Sequence, residues 1–309
     1  MIAQPILPVI HEREATMADD QQQSATQIIA AEGFDLPTQP TPEPPSLPLV
    51  RDVLIRVPAR HNTRLQRIID RVNQDDELYM LWRCANVNAV DRLSMSDHGP
   101  VHLQIVANIA LKLLRLLIGH GVQPSIVAQH ALTNDDAEVV VVLGALLHDV
   151  GMAIHRDDHE RFSLILATLK LRELLDGIYD LAARTVLLAE VLHAIIAHRS
   201  DGRPLTLEAG IVRVADALDM AKGRSRIAFE AGQVNMHSLS AAAIDHIEIQ
   251  KGELKPVQIA VAMLNSAGVF QLDALLKEKL SGSGLEPYVE VIATIQGETE
   301  KKLIEVFRV

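Results

Sequence analysis

The chain has 309 residues, 48% of them apolar but only 3% aromatic, and a formal net charge of −11. Such a length can bury one large core or two modest ones, and with few aromatics the core must be built from Leu, Ile, Val, Ala and Met, which suits packed helices. No run of 18 uninterrupted apolar residues predicts a membrane span, the start MIAQPILPVIHERE lacks the features of a secretory signal, and the single Cys84 cannot make an internal disulfide; a cytoplasmic protein is expected.

Residues 1–50 hold seven acids, one base and eight of the fourteen prolines, with the tract QQQSATQ and the run PTQPTPEPPSLP. A flexible or extended arm is expected there, with at most a weak helix over 16–32. The remainder is only mildly acidic and shows no basic face, so nucleic acid and anionic lipid are disfavoured as partners. A small anionic substrate stays open, because a metal or a few arginines can reverse a local field.

The body is expected to begin near residue 51. Leu65, Ile68, Ile69 and Val72 have helical spacing, and two or three helices packing on a main bundle are predicted up to residue 89, with Trp82 in that packing. DHGPVHLQIVANIALKLLRLLIGHG predicts a helix opening at Pro100 and closing at Gly119–Gly121, with His102 in its first turn and Asp97 or His98 as a cap. DDAEVVVVLGALLHDVGM contains a valine run that local propensity allows as a strand, but the apolar stretch runs past strand length and is read as helix. Helices are also predicted over RDDHERFSLILATLKLRELLDGIY, ARTVLLAEVLHAIIAHRS and LEAGIVRVADALDMAKGRSR. From residue 244 the pattern alternates, predicting two strands joined at Lys251-Gly252, a short helix, another strand, and a final helix or strand. The expectation is mostly α: a disordered arm at 1–50, a helical bundle at 51–243 with N-terminal packing helices, and a small α+β appendage at 244–309.

Nine of the thirteen histidines lie between residues 98 and 198. His148 and Asp149 follow an apolar run, where burial of either without a partner is costly. His102, His159, His193 and His198 stand on or beside apolar helices, and Asp216 interrupts IVRVADALDM. Imidazoles and carboxylates converging from different helices suit Mn, Fe, Co, Ni or Zn better than Ca, and the lack of thiolates excludes a Cys-rich zinc site.

The order His102, His148-Asp149, Asp216 on successive helices, over roughly residues 95–225, resembles the HD superfamily of metal-dependent phosphohydrolases. AIIAHRSDGRPLTLEAGIVRVADALD looks like the later part of those members that carry extra histidines for a second metal. The resemblance implies an HD bundle in which His102, His148, Asp149 and Asp216 ligate one ion. His159 and His198 match the added histidines, and Asp149 can bridge. His193, five residues before His198, points about 140° away on an ideal helix and is a second candidate; Asp219 competes with Asp216. Many members continue HD-x-G-Lys, whereas Met152 stands here in place of the lysine.

The expected function is hydrolysis of a phosphoester or phosphoanhydride in a nucleotide-like small molecule, with one or two divalent ions, Asp149 orienting water and Arg199, beside His198, as the first choice among arginines for phosphate. Arg203, Arg224 and Arg226 are further choices. The alternative is a non-catalytic HD sensor that binds metal or nucleotide. Edge strands in the appendage point to a homodimer.

Overall fold

A computed structural model describes residues 49–199, 201–220, 240–296 and 306–308. The predicted arm, all but its last two residues, lies outside them, as do Arg224 and Arg226.

Helices α1 (Thr63–Val72) and α2 (Asp76–Asn86) open on side-chain caps, Asn62 accepting from the Leu65 amide and Asp75 from the Leu78 amide. All four apolar residues singled out on α1 are buried. Trp82 is fully buried, and its indole donates to the Leu146 carbonyl at 3.0 Å, so its one polar atom is satisfied. A π-helical turn, Val87–Arg92, leads to α3 (Pro100–Gly119). Pro100 occupies the first turn of α3, where its missing N–H costs nothing. Asp97 reaches forward to accept from the His102 amide at 3.0 Å, so the capping role expected of Asp97 is the one observed.

A short helix that sequence patterning did not reveal, α4 (Ser125–His130), precedes α5 (Asn134–Leu147). At six residues, α4 is too short to show a period. Its first amides at Ser125 and Ile126 are held instead by the distant Glu208 carboxylate, at 3.2 and 3.0 Å. The valine run of α5 is helical. A capping box between Thr133 and Asp136 starts it, and every residue from Asp136 to Leu147 is buried, which is why no amphipathic stripe marks it. α5 is the central rod, in contact with α3, with α7 (Leu181–Ala197) and with α8 (Leu207–Leu218). α6 (His159–Leu175) packs on α7. By length and composition α3 could cross a membrane, but it is packed within this bundle and half of its most apolar window is buried there.

Beyond residue 240 a four-stranded sheet has the order β1 (Ile244–Lys251), β2 (Val257–Met263), β3 (Val289–Ile295), β4 (Val306–Arg308). β1 and β4 pair antiparallel with their neighbours, while β2 and β3 are parallel. A parallel pair needs a crossover, and residues 266–280 supply it as a run of short helical pieces ending in Glu278–Leu280. β1 runs through Lys251, so the link to β2 is the longer 252–256 rather than a tight turn at Lys251-Gly252. Sheet and bundle share one hydrophobic cluster, with β1 and β2 against α3 and residues 272–280 against α8.

That docking is close at Gly210 of α8, where a Cβ would lie 2.1 Å from the Ser283 carbonyl oxygen. Gly210→Ala is therefore expected to lower stability by about 1–3 kcal/mol, as overpacking against backbone does. Gly119→Ala, with nothing within 4 Å, is expected to be neutral or slightly stabilising. Thermal unfolding of the two variants checks this; equal midpoints would contradict it.

Candidate metal centre

The dipeptide His148-Asp149 lies at the end of α5, where the helix gives way to a 3-10 turn, Val150–Ala153. Two contacts fix that turn. Ser163 of α6 donates to the His148 carbonyl at 2.6 Å and accepts from the Gly151 amide at 2.8 Å. Asn88 donates to the Met152 carbonyl at 2.6 Å. Gly151 is required by space, since a Cβ there would sit 2.0 Å from the His159 carbonyl. Close approach of the turn to α6 is what brings His159, the first residue of α6, beside Asp149. Met152, which replaces the lysine of the resemblance, is fully buried with Ala85 and Ala89 and serves packing.

Four imidazoles surround the Asp149 carboxylate. Its Oδ2 lies 3.5 Å from His102 Nε2 and 3.2 Å from His148 Nε2, while its Oδ1 lies 3.2 Å from His159 Nε2 and 3.7 Å from His198 Nε2. Each oxygen thus faces its own pair of histidines. Asp216, on α8, points Oδ1 at His102 and His148, at 3.6 and 3.7 Å. Successive ring centroids, from His102 to His148 to His198 to His159, are 5.4, 4.8 and 5.5 Å apart.

The outer nitrogens are tied to acceptors. His148 Nδ1 donates to the Ala145 carbonyl at 2.8 Å, His198 Nδ1 to the Ile195 carbonyl at 2.6 Å, and His102 Nδ1 to the Asp219 carboxylate at 2.6 Å. This fixes each ring with Nε2 facing inward, the orientation metal-binding histidines use, and leaves Nε2 as the atom that a proton or a metal can occupy. His159 is held less strictly, its Nδ1 lying 2.9 Å from the Arg156 carbonyl and 2.8 Å from the Arg156 guanidinium.

The inner atoms of this cluster are short of partners. Nε2 of His102 and of His148 are buried without a hydrogen bond, a costly state for polar atoms in a core. His102, His148 and Asp149, then Asp149, His159 and His198, and also His148, His198 and Asp216, each present ligand atoms within 4.8 Å of one another. The cluster can hold a divalent metal, and its donor set of imidazole and carboxylate fits one.

Protonation follows the same geometry. Burial opposes charge on His148, but the adjacent Asp149 carboxylate, helped by Asp216, outweighs it and pushes the imidazole up to about 10. Burial also opposes charge on Asp149, but the charge of His148 and the ring nitrogens of His102, His148 and His159 that face it hold it well below the usual carboxylate range. Asp216 is held low against its burial by the charge of Lys279 and by His148. Burial and the nearby His148 and Lys279 charges keep His198 neutral.

Two expected residues have other partners. His193 accepts from the Leu205 amide at 2.9 Å and ties down the loop after α7; it belongs to none of the metal-competent groups. Arg199 pairs its guanidinium with Asp201 at 3.0 Å and with Asp158, the residue before His159, at 3.9 Å. Two other residues have roles that the sequence does not reveal. Asp219 is the partner of His102 rather than a competitor of Asp216, a role that its position three residues on does not reveal. Lys279, which comes from the crossover segment, sits 3.5 Å from Asp216 Oδ2.

A helical bundle with a buried His/Asp cluster of this order defines the class. The HD domain matches residues 102–221. The uncharacterized protein MJ1020 of Methanocaldococcus jannaschii is 40% identical over 238 residues, covering 77% of this chain and 91% of that protein. Ribonuclease Y of Chloroflexus aurantiacus is 24% identical over 208 residues and that of Desulforamulus reducens 29% over 211; each match covers 63% of this chain and 38% of the ribonuclease. No solved structure gives a significant match. The chain belongs to the HD family, whose superfamily is that of metal-dependent phosphohydrolases.

Metal and proton compete for the same atoms. Without metal, the raised His148 contributes stability that is full below its ordinary value of 6.5 and is lost as pH rises toward about 10. The lowered carboxylates contribute above their ordinary value of 3.8 and lose this as pH falls. The melting-temperature gap between metal-loaded and chelator-treated protein is therefore expected to widen from about pH 6 to about pH 9. A gap that ignores pH would contradict the assignment.

Proposed function

We propose that the protein is a metal-dependent phosphohydrolase that cleaves a phosphoester or phosphoanhydride bond in a nucleotide-like small molecule. The observation that carries this is the division of Asp149, one oxygen toward His102 and His148 and the other toward His159 and His198. His102, His148, Asp149 and Asp216 would hold one ion, and Asp149, His159 and His198 a second, drawn from Mn, Fe, Co, Ni or Zn.

When bound, such ions draw charge from a phosphoryl oxygen and lower the pKa of water. The chain's own share is geometric. Backbone carbonyls and Asp219 hold three imidazoles in the ligating orientation, and the apolar walls of α3, α5 and α8 keep bulk water from the inner face of the cluster. Asp149, almost fully buried and held as the carboxylate, is placed to accept a hydrogen bond from the attacking water and orient it.

Two relatives are named ribonucleases, which favours a phosphodiester as the scissile bond. The net charge of −11 weighs against a long polyanion and favours a small substrate. We also propose that the protein is cytoplasmic, with no membrane partner, and pairs as a homodimer through edge strands of its sheet.

Protein purified without chelator is expected to retain divalent metal and to hydrolyse bis(p-nitrophenyl) phosphate with added Mn. Asp149→Ala should lower the rate about a hundredfold or more, whereas His193→Ala should leave rate and metal content unchanged. Wild-type protein that binds no metal, or an Asp149→Ala variant as active as wild type, would sink the proposal. Cleavage of an RNA oligomer in preference to nucleotides would move the substrate to nucleic acid. Metal binding without turnover of any phosphoester would favour the sensor.

A further inference from the structure

Gly210, Arg213 and Asp216 follow one another at three-residue steps along α8, so each is the surface neighbour of the next in a row that winds about 120° round the helix. All three meet the segment that leads out of the crossover. Gly210 gives room to the Ser283 carbonyl. Arg213, 2% exposed, donates Nε to the Lys279 carbonyl at 3.0 Å and Nη2 to the Glu278 carbonyl at 3.3 Å, capping carbonyls that the end of a helix leaves unpaired. The same guanidinium donates to the Ala197 and Gly202 carbonyls at 3.4 and 2.8 Å and to the Arg199 carbonyl, so it binds the end of α7 to this segment.

One turn on, Asp216 meets the other end of the same lysine, with Oδ2 3.5 Å from Nζ. Lys279 Nζ also donates to the carbonyl of His198. Lys279 is thus held at its backbone by Arg213 and at its head by Asp216, a member of the cluster, and by the His198 carbonyl. A lysine needed only for solubility would not be gripped at both ends.

Asp216 is split in the same way as Asp149, Oδ1 facing His102 and His148 and Oδ2 facing Lys279. Asp216 and Lys279 are also the most open members of the group, with side chains 18% and 16% exposed, against 0–7% for Asp149 and the four histidines. Access to the cluster therefore lies on the side where the ammonium stands. An ammonium has three donors; among the described residues, the His198 carbonyl and Asp216 take two. A dianionic or monoanionic oxygen arriving there is the natural third partner, since charge-assisted hydrogen bonds to phosphate are the strong ones.

We infer that Lys279, delivered by the C-terminal segment onto α8, is the cation that receives the phosphoryl group of the substrate at the mouth of the metal cluster. The inference rests on the phosphohydrolase proposal and adds to it that the segment after β2 completes the site. It also gives the phosphate contact to a residue other than Arg199.

The test uses the full chain loaded with Mn, with metal content by elemental analysis and inorganic phosphate binding by calorimetry. Lys279→Met is expected to keep its metal and to bind phosphate about tenfold or more weakly. Lys279→Arg is expected to retain phosphate affinity within about threefold, because it restores charge and donors. Phosphate affinity in Lys279→Met equal to wild type overturns the inference alone. Loss of metal in both variants overturns it too, and would make Lys279 a support for Asp216. Wild type that takes up Mn but binds no phosphate and cleaves no phosphoester removes the phosphohydrolase proposal along with it.

Discussion

The bundle is organised around a contradiction that it must resolve: the Asp149 carboxylate and four imidazoles lie buried together beside a core built mainly of Leu, Ile, Val and Ala. An uncompensated buried charge costs several kcal/mol, more than half the stability of many domains. The compensation is mutual here, with His148 held protonated by Asp149 and Asp149 held ionised by its histidines. Yet Nε2 of His102 and of His148 still lack hydrogen bonds. A divalent ion would satisfy those atoms and replace the proton. Hence the outer contacts are so strict, with carbonyls of Ala145 and Ile195 and the Asp219 carboxylate each assigned to one Nδ1.

The backbone serves the same end. α5 is buried on every side, so its last residues have no choice but to enter the core, and the 3-10 turn at Val150–Ala153 redirects the chain at once toward α6. Ser163 and Gly151 hold that turn against α6, and His159 follows from the contact. Ten residues after Asp149, His159 is thereby turned back to face it at 3.2 Å.

The main helices were legible because burial imposes a period, as at Leu65, Ile68, Ile69 and Val72, or because length excludes a strand, as in the valine run of α5. The cluster was legible as an order of ligand-type residues on successive helices. What escaped was set by distant contacts. His193 and His198 differ by an angle that local sequence does not anchor; the choice is made where α7 ends, with His198 turned inward on the Ile195 carbonyl and His193 taken by the Leu205 amide. α4 depends on Glu208, 82 residues on from Ile126. Lys279 is 63 residues from Asp216, in a segment with no ligand pattern of its own, and only the packing of Gly210 and Arg213 brings it there.

The central claim is that Asp149 stands between two ligand sets rather than beside one. Anomalous diffraction at the Mn edge from crystals of the Mn-loaded protein tests it most directly. The account predicts two peaks flanking the Asp149 carboxylate, one on the side of His102, His148 and Asp216 and the other on the side of His159 and His198. A single peak, or peaks away from Asp149, would contradict it.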